Sequence, residues 1–120
     1  MKAKIDKIIQ GTVWLTDFNP TKGVELTKTR PAVIVNGDFG IGLDLKIVAP
    51  ITSWRKDFSQ IWWLYKIPKS KESGLDKDSA VNCYQIRCVS SARLIKFLGK
   101  LSQNDLEEVI ATVQNCVELS

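Results

Sequence analysis

Apolar residues in this chain come in short runs, most of them β-branched or aromatic, separated by polar punctuation. The first run, Thr12-Val13-Trp14-Leu15-Thr16-Asp17-Phe18, opens after Gly11 and closes at Asn19-Pro20, which predicts a strand over 12–18. A polar loop, 19–29, leads to a second predicted strand over 32–36, Ala32-Val33-Ile34-Val35-Asn36. Gly37, Gly40 and Gly42 punctuate a turn region. A third strand is expected over 45–51, with Pro50 marking an edge or a bend. The run 61–67, Ile61-Trp62-Trp63-Leu64-Tyr65-Lys66-Ile67, is apolar and aromatic enough for a fourth. Residues 68–78 are charged, contain Ser73-Gly74 and predict a surface loop. Residues 80–89 alternate around Val81, Cys83, Ile86 and Cys88 and predict a fifth strand with a bulge. Residues 93–101 read as a connection that packs apolar residues on the sheet. Before all of these, Ile5, Ile8 and Ile9 have helical spacing, but so short a segment predicts a single docked turn at most.

The period changes near the end. Ser102 stands as an N-cap with the acidic Asp105 three residues on. Leu106, Val109, Ile110, Val113 and Val117 then recur on one face, and Glu107 and Glu108 suit the positive end of a helix. No internal repeat is present. About five short strands and one terminal helix predict a mainly β (α+β) fold, a small barrel or strongly curved sheet capped by the helix. With 120 residues, the expectation is one domain over 1–120 with a real core.

Composition narrows the chemistry. The net charge is +4 and the sequence pI about 9.0, which suits a polyanion or an acidic protein as partner. No apolar stretch nears the roughly 18 residues of a membrane span. The N-terminus lacks the apolar core of a signal peptide, so the expected location is the cytoplasm. The three cysteines, Cys83, Cys88 and Cys116, form no Cys-x-x-Cys, and there is no histidine. A disulfide framework, a zinc site and a cofactor are therefore not expected. Serine–histidine and cysteine–histidine hydrolases are excluded, as are nucleases that use paired histidines. Acid–base work would fall to Glu, Asp, Lys, Tyr, Arg or a hydroxyl.

Arg30 leads the candidates. Pro31 fixes its own φ and biases Arg30 to an extended backbone, so a guanidinium is held at the mouth of a strand. There it can bind a phosphate bidentately, or pair with Asp38 or Glu25 as an ordinary surface ion. Thr52 and Ser53 follow Pro50 and can hydrogen-bond a phosphate or close their own turn. In the loop, Glu25 can accept a proton and Lys28 can hold phosphate, or both can simply be solvated. Alternation along a strand would separate Trp62 from Trp63, one in the core and one at a partner surface or stacking on a base. Cys83 and Cys88 read as packing residues.

The ordered set Gly11-Thr12-Val13-Trp14, Asp17-Phe18-Asn19-Pro20-Thr21-Lys22-Gly23-Val24-Glu25, Thr29-Arg30-Pro31-Ala32-Val33-Ile34-Val35 and Ile47-Val48-Ala49-Pro50-Ile51-Thr52-Ser53 resembles the MazF/PemK (Kid) family of toxin endoribonucleases. Gln85-Ile86-Arg87 and Arg93-Leu94 continue the likeness over roughly residues 11 to 117. The resemblance implies an SH3-like barrel of about five to seven twisted antiparallel strands with a C-terminal helix, shared by CcdB-like and MazF-like proteins. It implies a homodimer that cleaves single-stranded RNA, usually mRNA, without metal. It also implies a cognate antitoxin that blocks the site with an extended acidic segment. Its functional positions fall on Arg30, Thr52 and Glu25 as catalytic residues. Lys28, Asn19, Thr21, Ser53 and Gln85 are the expected RNA contacts. Departures from the family pattern are Leu26 after Glu25, Asn82 and Tyr84 where some members carry an arginine and an aspartate, and Cys88-Val89-Ser90. These bear on cleavage sequence and efficiency. Two alternatives stand beside the ribonuclease: a non-catalytic poison of DNA gyrase, and a degenerate member that only binds RNA or antitoxin.

Overall fold

The computed structural model describes residues 7–19, 29–40 and 43–120. Among the described residues, seven strands and one α-helix follow in the order β1 (Thr12–Asp17), β2 (Thr29–Ile34), β3 (Leu45–Ser53), β4 (Leu64–Ile67), β5 (Ser79–Asn82), β6 (Arg87–Ser90), β7 (Leu94–Lys100) and α1 (Gln103–Cys116). All described pairings are antiparallel, in the order β4-β5-β3-β2-β1-β7, with β6 also on β3.

β3 is the hub. One edge takes β2 at Val48–Pro50, while the other takes β6 along Leu45–Val48 and then β5 along Ile51–Ser53. Pro50 falls between those two ladders, where its missing N–H is not needed. The bend expected at Pro50 is thus a change of partner. Both faces of the central strands are buried. Val13, Val33, Ala49, Ile51 and Val81 form one apolar layer beneath α1, and Trp14, Ala32, Ile34, Val48 and Leu94 form the other. Neighbours such as Val13 and Trp14 part to opposite layers because side chains alternate along a strand.

Several expectations need correction. The strand expected over 80–89 is two, β5 and β6, broken by a bend in which Asn82 Oδ1 accepts the N–H groups of Tyr84 and Gln85; an Asx-type side chain competes with the ladder there. The strand expected over 61–67 begins only at Leu64, since Trp62 and Trp63 occupy a turn. Trp62 is 60% exposed and Trp63 half-buried rather than core. Residues 94–100 are a strand on β1, not a connection. The loop 68–78 sends Ser73 and Leu75 inward.

The helix matches its expected start, with Ser102 Oγ accepting the Asp105 N–H at 3.1 Å. Val109 is fully buried, whereas Val117 lies past the helix and is 72% exposed. Asp105 also accepts the Tyr65 hydroxyl from β4 at 2.8 Å. Burial first, then that bond, push the Tyr65 pKa from 10.0 up to about 12. The folded value lies above the unfolded one, so the contribution is whole below about pH 10 and is lost as pH rises through about 12. Tyr65→Phe is expected to cost about 1 kcal/mol at neutral pH and to flatten the alkaline fall in stability. Denaturant midpoints of both proteins across that range check it. Parallel pH curves would disprove the coupling.

Candidate active site

Antiparallel register explains why Arg30 and Thr52 meet. The β2–β3 ladder runs Ile34↔Val48, Val33↔Ala49 and Ala32↔Pro50, then stops. Continuing the same register sets Arg30 opposite Thr52. Between them and the last rung lies Pro31, which has no N–H to extend the ladder. The strands are held from their outer edges instead. Arg30 pairs with Thr16 on β1, and Thr52 with Ala80 on β5. A cleft of about 320 Å³ opens there, lined by Thr29, Arg30, Thr52, Ser53, Asp76 and Lys77 among others.

Inside the cleft Arg30 Nη1 donates to Thr52 Oγ1 at 3.2 Å. The Thr52 hydroxyl, acting there as acceptor, keeps its own O–H to donate. Arg30 Nε is buried without a hydrogen-bond acceptor. An unmet guanidinium N–H of this kind costs about 1–3 kcal/mol. Among the described residues Arg30 makes no ion pair. Asp38, the described one of its two expected surface partners, instead accepts the Gln10 N–H at 2.7 Å.

Of the expected site residues, the structure brings Arg30, Thr52 and Ser53 together. Asn19 follows β1 and turns its N–H onto Asp17 Oδ1 at 2.9 Å, and Gln85 lies in the β5–β6 bend. Neither lines this cleft. Glu25, Lys28 and Thr21 lie outside the described residues. Asp76 and Lys77 were missed by sequence reasoning. They belong to a charged loop whose composition carries no signal, and only the β3–β5 pairing brings it beside Thr52. Among the described residues no His, Cys, Asp and Glu side chains gather as a metal site, and no helix is long and apolar enough to cross a membrane.

Fold and cleft together define a small, strongly curved antiparallel β-sheet protein with a cationic, hydroxyl-bearing notch between two strand ends. Comparison with known proteins narrows this class. Residues 9–117 match the model of the PemK-like, MazF-like toxins of type II toxin-antitoxin systems. The chain is 32% identical over 111 residues to Endoribonuclease MazF of Staphylococcus saprophyticus, covering 92% of this chain and 88% of that one. It is 26% identical over 106 residues to Endoribonuclease MazF9 of Mycobacterium tuberculosis, covering 83% and 87%. Its fold matches the crystal structure of MazF from Deinococcus radiodurans with a TM-score of 0.71 at 21% identity, covering 89% of this chain and 92% of the other. An endoribonuclease solved with its cognate antitoxin, from a mycobacterial species, gives a TM-score of 0.70 at 15% identity, covering 91% and 93%. The chain belongs to the PemK-like, MazF-like toxin family.

Proposed function

We propose that the chain, working as one domain over residues 1–120 in the cytoplasm, is a sequence-specific endoribonuclease toxin that cuts single-stranded RNA at the Arg30–Thr52 cleft. The observation that carries this is the buried Arg30 Nε with no acceptor, next to an Nη1 anchored on Thr52. Such a fork matches the paired oxygens of a phosphodiester.

The chemistry runs without histidine. The ribose 2′-oxygen loses its proton and bonds to phosphorus. Negative charge grows on the non-bridging oxygens, and the bond to the 5′-oxygen breaks as that oxygen takes up a proton from water. The products are a 2′,3′-cyclic phosphate and a 5′-hydroxyl. Arg30 stabilises the charge, because a fixed donor aimed where charge develops needs no reorganisation. Thr52, through its free O–H, holds a phosphate oxygen or the attacking hydroxyl. A guanidinium is too weakly acidic to act as a base at neutral pH, so the proton goes to Glu25. The net charge of +4 draws in both RNA and an acidic antitoxin segment. A homodimer would cover apolar side chains now open to solvent, among them Trp62, Leu45 and Phe97.

Purified protein is expected to cut a long single-stranded RNA into discrete fragments in EDTA, with 2′,3′-cyclic phosphate ends. Mapping those ends supplies the recognition sequence. Intact RNA under these conditions would overturn the proposal and make gyrase inhibition the next assay.

A further inference from the structure

On one side the cleft at Arg30 is walled by Leu75, Asp76 and Lys77. A second cleft of about 450 Å³, lined by Lys69, Ser70, Lys71, Gly74, Leu75 and Asp76, shares Leu75 and Asp76 with the first. The two adjoin at these residues. Lys69, Lys71, Asp76 and Lys77 are exposed along the two clefts, and none of them makes an ion pair among the described residues.

The segment carrying them is a built scaffold. Ser70 N donates to Leu75 O at 3.2 Å and Gly74 N to Ser70 O at 3.1 Å. Ser70 Oγ and Ser73 Oγ bond to each other at 2.9 Å. Leu75 is 6% exposed and pins the floor to the core. Asp78 is occupied internally, its Oδ1 accepting Lys69 N–H at 3.0 Å and its carbonyl accepting Trp54 N–H at 2.9 Å. Lys100 N bonds Glu72 O at 2.9 Å, tying the segment to β7. The lysines therefore leave a backbone that is already ordered, and little backbone entropy remains to be lost on binding.

We propose that this second cleft is an RNA subsite. The strand held at Arg30 and Thr52 continues across Leu75 and Asp76, and Lys77, Lys71 and Lys69 take the phosphates flanking the scissile one. Asp76, an acceptor only when ionised, repels phosphate at the join and faces the N–H groups of a base. The subsite rests on the ribonuclease reading of the first cleft. Its test is a binding measurement, so the two can fail separately.

In an Arg30→Ala background, which slows cleavage enough for binding to be read on intact RNA, Lys69→Ala/Lys71→Ala is expected to weaken binding of a long single-stranded RNA about tenfold at low salt. Each phosphate contact on a single strand contributes ~0.7 to the slope of log K against log salt, so the slope should fall by roughly 1.4. Lys69→Arg/Lys71→Arg should restore both. Unchanged affinity and slope would overturn the proposal. So would a loss confined to poly-glutamate, which would assign the loop to an acidic protein segment instead. Failure of the wild type to cut RNA would instead count against the catalytic cleft alone.

Discussion

Arg30→Ala is expected to lower RNA cleavage by about 10²–10³-fold, the loss typical of removing one preorganised donor from a developing oxyanion. The fall should appear in the rate of the bound complex, because the charge it meets exists fully only in the transition state. Arg30→Lys should recover little. A single ammonium cannot both anchor on Thr52 and offer a second N–H in the same plane. Thr52→Ser should keep most activity, since it retains the hydroxyl that accepts from Nη1 at 3.2 Å. The companion measurement is stability. Arg30 Nε is buried and unmet, so Arg30→Met keeps the packed stem and removes the orphan donor. Its unfolding midpoint should equal or exceed that of the wild type while cleavage is lost, a trade expected where activity is maintained at the expense of stability. Cleavage by Arg30→Ala at the wild-type rate would remove this residue from the mechanism.

What could be read from the chain and what could not divide along physical lines. β1, β2, β3 and α1 were legible because their signals are local: β-branched runs, a Pro at the strand mouth, a Ser N-cap and apolar positions on one helical face. The break at Asn82–Arg87 was not legible, since an alternating pattern runs straight across it and the interruption comes from one side chain capturing two N–H groups. β7 was missed because Gly99 sits in it and its outward residues Ile95 and Phe97 are apolar, which blurs the period. Of the candidate site, Arg30 and Thr52 could be named from residue type and from family resemblance. That they face each other follows from a register that needs both strands. Asp76 and Lys77 belong to the same site through tertiary pairing alone.

Gly74→Ala is expected to destabilise the protein by about 2–4 kcal/mol, the range of a strained backbone combined with a steric conflict. Gly74 has φ +76°, in the left-handed region, and an added Cβ would lie 2.1 Å from the carbonyl oxygen of Leu98. That oxygen is backbone in β7 and cannot swing aside as a side chain would. The approach is mutual: a Cβ on Gly99 would lie 2.2 Å from Glu72 O. Two glycines thus let the 68–78 segment and β7 touch backbone to backbone, and the Lys100 N–H to Glu72 O bond closes the contact. Pushing them apart breaks that bond and lifts Leu75 from the core. It also moves the wall that carries Asp76 and Lys77 away from Thr52. Chemical denaturation should show the lost stability. If the loop is the scaffold of an RNA track, the folded fraction of Gly74→Ala should also bind RNA more weakly and with a smaller salt slope, although no charge has been removed. A variant as stable as the wild type would mean that the segment and β7 are not locked together. A destabilised variant with unchanged RNA affinity would leave the lock intact and take the RNA off the loop.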